Sequence, residues 1–512
     1  MMSPNTFTMR GGLLVPTSLG YNAVEDRGRR QSPQTRVRHE ATISTKQTRD
    51  KIQSTAQDQA RNHSLVAWMI RKHLDYVSTF HISFRTGIEP VDTLVNRIFK
   101  WHGRPTNFDY NRRFGRDEFF RMFEMEKVLG GDAGIIKMTG LKLQALESDL
   151  IAKGTRGKLK DGKDGPKPPT SVNDSGLVVD DDGTVQQYSV CTRGPVGNKV
   201  VFHHLEPLAN VIFDAYWSRY SSQFRGVSPL TTAINMVQDI HEGLEYNLLK
   251  AKMHALFGLA FTRDANGTDG DFGGAGGATA ETTSATATAT GTTFDLNPRA
   301  VNLIDLNPGD GVQVIESGTP STEFVNGTYL FIQIAMLALD IPVTCFDSRR
   351  SNFSARIADL NEYVVSNTSK QTKNRYVRTE YSDWVLEQIW NDSKSPWPLK
   401  KVATENKMGL RDVQEQVEWI PAGAPWLDKL KQVQGDQLAI DIGLDNTEDA
   451  ARRRGANVYE NIDKEARVIE YAKAKGVPLV KGKSGERTVA EIVQDEIAKA
   501  DVNDSPQEER DE

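Results

Sequence analysis

The chain has 512 residues, and its 68 acidic side chains slightly outnumber its 63 Lys and Arg side chains, so its formal net charge is −5 at pH 7. At roughly 150 residues per domain, this length favours about three domains. Hydrophobic cores are expected, because 38% of the residues are hydrophobic and the chain carries 20 Phe, 13 Tyr and 8 Trp. A protein that grips nucleic acid over its whole surface is disfavoured, because such binding needs a large cationic excess.

Cysteine content and hydropathy indicate the cellular compartment in which the protein is found. Cys191 and Cys345 are the two cysteines, which excludes a disulfide scaffold and a four-cysteine zinc site and favours free thiols over a single bridge. The longest apolar run, from Tyr329 to Leu339, is shorter than the ~20 residues that a membrane-spanning helix needs. No signal-peptide core follows Arg10. The sequence therefore predicts a soluble, intracellular protein with no membrane partner.

The first 215 residues predict one α+β unit. Residues 1–50 carry five arginines between positions 27 and 38. They predict a basic arm that is either solvated or in contact with an acidic partner or nucleic acid. Apolar residues three and four positions apart from Ile52 to Val77 predict one long helix. The elements expected next are a strand at 80–84, helices at 91–101 and 117–128, and strands at 134–138, 141–146, 185–190 and 199–204.

A second long amphipathic helix is predicted to begin at Ser228-Pro229, since Pro is favoured in the first helical turn. One apolar stripe continues along it; its members are Leu230, Ile234, Val237, Ile240, Leu244, Leu248, Ala251, Ala255 and Leu259. Such a helix is about 45 Å long at 1.5 Å per residue. We expect its stripe to be covered by neighbouring helices or by other copies of the chain.

The remainder predicts further helices around a polar insertion. Residues 264–293 are rich in Gly, Ala, Thr and Ser and predict a flexible loop. Helices are expected at about 323–339 and 354–390, with a break at Ile341-Pro342 between them. From about residue 400 the pattern predicts charged helices punctuated by Trp419-Ile-Pro421, and the chain ends in an acidic tail.

No complete catalytic pattern is present in the sequence. The stretch from Gly476 to Ser484 resembles a phosphate-binding loop, but it has five intervening residues where four are required and follows a helical pattern. His203 and His204 lie on a predicted strand, where adjacent side chains point to opposite faces, so joint metal binding is not expected. We therefore expect no enzymatic activity, no cofactor and no metal.

Five short stretches, taken in order, resemble the portal proteins of tailed bacteriophages, particularly those of the lambda type. They are Ala60-Arg-Asn-His63 running into 67–77, Gln223 to Leu230 with its following helix, Leu306 to Asp310, Ile341-Pro342 leading to Ser351 to Arg356, and Trp419-Ile-Pro421 leading to Gly443-Leu444. The most specific is the second, which contains Arg225, Gly226, Ser228 and Pro229. In the fourth, Asn352 and Ser354 flank Phe353, where the family usually has Tyr.

The resemblance implies an α+β portal-type fold, with an α/β wing, long stem helices, a clip and a helical C-terminal crown, assembled as a ring. The expected segments are a basic N-terminal arm (1–50), the wing (51–225), a stem helix (226–262), a clip with the Gly/Ala/Thr-rich loop (263–315), a second stem helix (316–340), a candidate channel loop (341–353), a long helix with the wing return (354–418) and a helical crown with the acidic tail (419–512).

The resemblance also implies a function. Portal proteins form a ring, normally of twelve subunits, at one capsid vertex, through which double-stranded DNA is packaged and ejected. The implied partners are the terminase large subunit, a head-completion or tail adaptor, and the major capsid or scaffold protein. The implied location is the virion, with the host cytoplasm during assembly. The alternatives are a nucleic-acid-processing enzyme and another structural head–tail adaptor.

A few cations per subunit, repeated around such a ring, could guide the duplex. The candidates are Arg349, Arg350 and Arg356, with ordinary solvated or interface arginines as the alternative. A net charge near zero suits a channel through which DNA must slide, because each additional phosphate contact would bind the DNA more tightly.

Overall fold

The computed structural model describes residues 7–10, 13–16, 40–159, 162–195, 199–257, 259–263, 310–314, 321–347, 349, 352–423 and 428–476. Most of the predicted basic arm, the Gly/Ala/Thr-rich loop, the phosphate-loop-like stretch after Gly476 and the acidic tail lie outside these residues. Within them the fold mixes helices and strands, so the α+β class is confirmed.

Helices dominate the described part of the chain. They are α1 (Glu40–Ile43), α2 (Lys46–Asn62), α3 (Ser64–Val77), α4 (Glu89–His102), α5 (Pro105–Phe108), α6 (Arg116–Gly130), α7 (Ile234–Phe257), α8 (Thr322–Met336), α9 (Phe353–Asn391), α10 (Leu399–Glu405), α11 (Leu410–Glu415), α12 (Lys429–Asp441), α13 (Thr447–Arg453) and α14 (Val458–Lys475). A short 3-10 helix, Pro229–Thr232, precedes α7, and another, Leu337–Leu339, follows α8.

The strands form small antiparallel sheets. They are β1 (Phe7–Arg10), β2 (Leu13–Pro16), β3 (Phe80–Phe84), β4 (Asp132–Met138), β5 (Lys142–Leu146), β6 (Leu177–Val179), β7 (Val185–Arg193), β8 (Val200–Pro207), β9 (Val211–Ala215), β10 (Leu259–Arg263), β11 (Asp310–Val314) and β12 (Val417–Pro421). The two three-stranded sheets have the orders β5-β4-β9 and β6-β7-β8. The pairs β1-β2, β10-β11 and β3-β12 complete the set.

Backbone contacts divide the chain into two compact units. The first comprises residues 1–78 and 96–397, and the second comprises 79–95 and 398–512. The first unit holds both three-stranded sheets and the long helices α7, α8 and α9. The second unit is built on the β3-β12 pair, in which Trp419 lies opposite Ile82. Residues 79–95, expected in the wing, therefore associate with the C-terminal part of the chain.

Two apolar cores within the described residues help to stabilise the first unit. One is helical and gathers buried apolar side chains from α2, α3, α6, the start of α7 and the end of α8, including Met69, Val128 and Ile234. The other lies between the two three-stranded sheets, where Ile136 of β4 and Val190 of β7 are both buried. Burial of this apolar surface is the main force that holds the sheets and helices together.

Local chemistry explains where the helices begin and end. Gly131 closes α6 with a left-handed φ of 92°, a conformation that glycine adopts without steric cost. The Asn352 side chain accepts a hydrogen bond from the backbone N–H of Ala355 at the start of α9. Asp340, also left-handed at φ 57°, ends the helical run before Ile341-Pro342.

Three sequence predictions need correction. The helix expected from Ile52 to Val77 is two helices, because the extended backbone of His63 (φ −110°, ψ 112°) separates α2 from α3. The predicted stem helix ends at Phe257, and Leu259 begins strand β10. The segment around Trp419 is a strand rather than a break between helices.

Candidate functional site

Arg225, from the most specific motif, is buried and holds several segments of the chain together. This set of contacts is here called the Arg225 clamp. Its Nε and Nη2 donate to the two carboxylate oxygens of Asp132, each at 2.7 Å. Nη2 also donates to the backbone carbonyl of Ser148 at 2.7 Å, and Nη1 to that of Ser175 at 2.8 Å. Arg225 and Asp132 are both buried. A bidentate pair of this kind fixes orientation as well as contributing energy, so Arg225 ties strand β4 to the loops around it.

Gly226 allows two backbone segments to touch. A Cβ atom at position 226 would lie 2.0 Å from the carbonyl oxygen of Gly131, and one at position 131 would lie 2.6 Å from the carbonyl carbon of Gly226. Both distances are too short for any side chain. The backbone N–H of Gly226 meanwhile donates to Asp132 at 2.9 Å. Glycine is therefore required at position 226, because the backbone there lies close to that of Gly131 at the end of α6.

Ser228 and Pro229 position the start of helix α7. The Ser228 hydroxyl donates to the backbone carbonyl of Val128 at 2.6 Å and accepts from the backbone N–H of Leu230 at 3.2 Å. Pro229 occupies the first position of the 3-10 turn that precedes α7. The whole motif thus joins the end of α6 and the start of β4 to the beginning of α7.

A second buried polar cluster lies around Glu124, which sequence reasoning missed. Its carboxylate accepts from the Tyr216 hydroxyl at 2.8 Å and from the Asn374 amide at 2.7 Å, and it pairs with Lys127 at 2.7 Å. The His73 Nε2 lies 3.1 Å away. Burial alone would raise the pKa of Glu124, but Lys127 and His73 lower it to about 2. The cluster joins α3, α6, α9 and the chain after β9.

The sequence contains a weak indication that Glu124, Lys127 and Asp132 are buried. Glu124 and Lys127 fall on the same face of α6 as the apolar Phe120 and Phe123, and a charge on an apolar face is the exception. Asp132 opens strand β4 directly after Gly130-Gly131, and the next four residues, 133–136, carry no polar side chain. Apart from the Glu124–Lys127 pair, their partners are distant along the chain, so those contacts were not predictable.

Two of the three candidate DNA-contacting arginines, Arg349 and Arg356, lie on the surface near the start of α9. The side chain of Arg349 is 93% exposed and lies 3.5 Å from Asp347. Arg356 is exposed in the first turns of α9. Arg350 lies outside the described residues. Asn352 caps the helix, while Phe353 and Ser354 are exposed at its first two positions.

Among the side chains that the structure describes, the apolar stripe of α7 is buried from Leu230 to Ile240 and about half exposed at Leu244 and Leu248. Leu230, Ile234, Val237 and Ile240 are buried in the helical core. Leu244 is 48% exposed and Leu248 56% exposed. The neighbouring helix α8, whose Phe324 ring packs beside Gly243 of α7, also exposes Leu330, Phe331 and Ile334. These exposed apolar side chains of the two packed helices are here called the stem surface.

One helical stretch within the described residues, Thr322–Leu339, is long and apolar enough to cross a membrane by length and composition alone. Its mean hydropathy is 1.2, and 17% of it is buried. The sequence expectation of no such segment therefore does not hold on these two criteria. A helix that packs against other protein passes the same test.

The two adjacent histidines do not follow the expected strand geometry. Their Nδ1 atoms lie 2.5 Å apart and their ring centroids 4.7 Å apart. The register of β7 and β8 shifts between Val190, opposite His204, and Cys191, opposite Phe202, which leaves His203 as the extra residue of a bulge. Among the described residues, no group of three or more His, Cys, Asp or Glu is arranged to hold a metal ion.

Solved structures with a similar backbone come from gene transfer agent (GTA) particles. One, from the virion of a native GTA particle, has a TM-score of 0.40 and 14% identity, and the match covers 79% of this chain and 92% of that one. Another, from the neck of an empty GTA particle computed with C6 symmetry, has a TM-score of 0.41 and 13% identity, with 78% and 93% covered. A third, from the neck of a native GTA particle computed with C12 symmetry, has a TM-score of 0.40 and 14% identity, with 79% and 93% covered.

Comparison with the curated proteins gives no match. The family model of the phage portal protein, lambda family, matches residues 27–363, a span that contains the Arg225 clamp, the glycine contact, helices α7 and α8, and the Asn352 cap. Since that span is well over half of the chain, this protein belongs to the lambda family of phage portal proteins.

Proposed function

We propose that copies of this chain form a ring, normally of twelve, at one vertex of a capsid, and that double-stranded DNA is packaged and ejected through its centre. The terminase large subunit, a head-completion or tail adaptor and the capsid or scaffold protein are the partners of such a ring. No catalysis is required of the chain in this role. Its place is the virion, after assembly in the host cytoplasm.

The stem surface is the observation that supports the ring most strongly. Leu244 and Leu248 continue a stripe whose first half is buried, yet a single chain leaves them about half exposed. Contiguous exposed apolar surface marks an interaction site. A neighbouring copy of the chain would cover it, and repetition of the same contact closes a ring.

The arginines near the start of α9 are the proposed DNA contacts. Arg349 is almost fully exposed, and a ring would repeat this cation once in every subunit to give a belt of cations. Cations attract phosphates over a range of about 10 Å at 0.1 M salt. The belt would guide the duplex without the extensive phosphate contacts that would hold it fast.

A packaging assay tests this function. Capsids assembled with the chain should protect DNA from nuclease, whereas capsids assembled without it should not. Arg349→Ala combined with Arg350→Ala should leave ring assembly intact and lower the protected DNA several-fold. The matched control replaces Lys373 and Arg375, two exposed cations of α9, by Ala. Equal packaging by both double variants would remove the DNA role of Arg349 and Arg350, and nuclease-sensitive DNA in every capsid would contradict the portal function.

A further inference from the structure

A short part of the first unit carries a strong excess of positive charge. Residues 96–116 contain six Lys and Arg side chains and one acid, although the net charge of the whole chain is −5. The acid, Asp109, is buried, and burial lowers the pKa of His102 to about 4, so His102 is neutral at pH 7. Arg116 pairs with Asp117 at 2.9 Å. The other five cations are exposed and, within the described residues, form no ion pair; they are Arg97, Lys100, Arg104, Arg112 and Arg113.

The end of α4 and the loop before α6 bring these cations together. The backbone N–H of Arg116 donates to the carbonyl of Gly103 at 3.1 Å, so the loop returns to the residue that precedes Arg104. A Cβ atom at Gly115 would lie 3.3 Å from the same carbonyl oxygen and 3.8 Å from the Pro105 side chain. The cations therefore lie on two adjoining segments, together called the basic patch: Arg97, Lys100 and Arg104 on one, Arg112 and Arg113 on the other.

The loop of the basic patch is held in one shape by Asp109. Its carboxylate accepts from the backbone N–H of Arg113 at 2.7 Å and from that of Asn111 at 3.1 Å. Its carbonyl accepts from the backbone N–H of Arg112 at 3.0 Å, a residue with a left-handed φ of 59°. The carboxylate is thus directed to the backbone and leaves the guanidinium groups unpaired. A loop ordered in advance loses little entropy on binding.

The chemistry of the basic patch suits a phosphate backbone better than a protein partner. Protein–protein contacts usually have an apolar centre that is depleted of charge. Across residues 96–116, Tyr110 is the one exposed large hydrophobic side chain, at 50% exposure. Exposed amides and a hydroxyl lie among the cations instead, on Asn96, Thr106 and Asn111. Arg and Lys together with Asn, Thr and Tyr are the side chains that contact phosphates in protein–DNA complexes.

We propose that the basic patch binds the phosphate backbone of double-stranded DNA, independently of base sequence, as a contact additional to Arg349 and Arg350. The choice of double-stranded DNA among polyanions rests on the proposed function, whereas the patch itself is complete within one chain. Each cation that meets a phosphate releases counterions, so binding should be strongly salt-dependent. A ring would repeat the patch in every subunit, and linked weak contacts bind a long polyanion far more tightly than a single one.

Binding of the full chain to a short fluorescent duplex, measured over a series of salt concentrations, tests this surface. The patch variant combines Arg97→Gln, Arg104→Gln and Arg113→Gln. Loss of three phosphate contacts should reduce the slope of log K against log salt by about 2.7 and weaken binding more than about tenfold at moderate salt. Lysine at the same three positions keeps the charges and should largely restore both values, because Lys binds phosphate as a point charge.

A charge-matched control separates the patch from the overall charge of the chain. It combines Lys373→Gln, Arg375→Gln and Lys400→Gln, at three exposed positions outside the patch, and should bind the duplex as the parent chain does. Equal slopes and affinities for the patch variant and this control would overturn the DNA contact.

Electron microscopy and capsid assembly with the same variants distinguish the remaining outcomes. Rings of the patch variant that bind DNA more weakly support the contact. A patch variant that binds DNA normally but no longer enters capsids would overturn it, since the patch would then dock an acidic capsid or scaffold protein. Absence of rings from the parent chain, with a salt slope that still depends on the patch, would contradict the proposed function and leave the DNA contact in place.

Discussion

At the residue scale, Arg225, Gly226 and Ser228 hold the fold together through buried contacts. Arg225 is recognisable in sequence as part of a family pattern, but its role depends on Asp132, which lies 93 positions away. The pattern could not reveal whether this arginine faces solvent or a carboxylate. The same holds for Glu124, whose partner Asn374 is 250 positions distant. Sequence therefore located these residues or their neighbours without giving their contacts.

Removing the Arg225 clamp should be strongly destabilising. Arg225→Met would leave the Asp132 carboxylate buried without its partner, which costs about 3–5 kcal/mol of unfolding free energy. Arg225→Lys keeps the charge but loses the planar fork, so the loss should be smaller but still measurable. Arg375→Met, at an exposed position of α9, is the control and should change stability by less than about 0.5 kcal/mol. Denaturant unfolding of the unassembled chain measures all three, and equal stability of Arg225→Met and the control would refute the clamp.

Two glycines should respond to alanine with opposite signs. Gly226→Ala forces a Cβ against the Gly131 carbonyl and should destabilise the chain by about 1–3 kcal/mol or more. Gly327 lies within α8 with open space around its Cβ position, so Gly327→Ala should stabilise the helix by up to about 1 kcal/mol. Thermal unfolding midpoints of both variants test the pair. A tolerated Gly226→Ala would show that the two backbones are not in contact.

Stability should depend on pH through Glu126. Burial raises the pKa of Glu126 to about 7, although its hydrogen bond from Ser148 opposes the rise. Since the folded chain then holds a proton that the unfolded chain releases near pH 4.5, stability contributed by this group is present below pH 4.5 and is lost as pH rises through 7. Glu124, with its pKa lowered to about 2, acts in the opposite sense: its contribution is present above pH 4.5 and is lost as pH falls toward 2.

Glu126→Gln isolates the first effect, because Gln resembles the protonated acid. The variant should be more stable than the parent chain at pH 8 and nearly equal to it at pH 4.5. Glu118→Gln, at an exposed position of the same helix, should leave the pH profile unchanged. Denaturant midpoints between pH 4.5 and 8 provide the measurement; parallel profiles for the parent chain and Glu126→Gln would contradict the buried, protonated state.

At the scale of elements, periodicity predicted the long helices well and the strands only in part. The helices at 117–128, 323–339 and 354–390 are present as α6, α8 with its 3-10 extension, and α9. The break at His63 escaped prediction because apolar spacing continues across it on both sides. Strand β12 was missed because its partner β3 lies more than 300 residues earlier, and only the pairing makes so short a segment a strand.

The bulge at His203 shows, within one strand, a second feature that sequence periodicity did not predict. Alternation along β8 predicts opposite faces for His203 and His204, but one extra residue in the strand turns both rings to one side. Bulges leave no signature in a single sequence of this kind. The site was thus predictable as a set of motif residues, while the buried charges and local irregularities that hold it were not.

The exposed half of helix α7 should control association rather than folding. Leu244 is about half exposed in the single chain, so Leu244→Asp should fold but remain unassembled, because a ring would bury its charge without a partner. Met122→Asp, at an exposed position of α6, is the control and should still assemble. Mass photometry distinguishes a 57.0 kDa chain from a ring. Assembly of Leu244→Asp at parental concentration would show that the stem surface lies outside the interface.

At the scale of the whole molecule, two features point to an assembled state. The chain belongs to the lambda family of phage portal proteins, and helices α7 and α8 leave apolar side chains uncovered. The stretch Thr322–Leu339, apolar enough to cross a membrane, belongs to that same surface. A ring would bury it against protein, whereas a membrane protein would need detergent to stay in solution.

Electron-microscope class averages of the purified, detergent-free protein test the central claim most directly. The account predicts closed rings with a central hole and about twelvefold symmetry. A single 57.0 kDa species or a closed dimer under conditions that assemble capsids would contradict it.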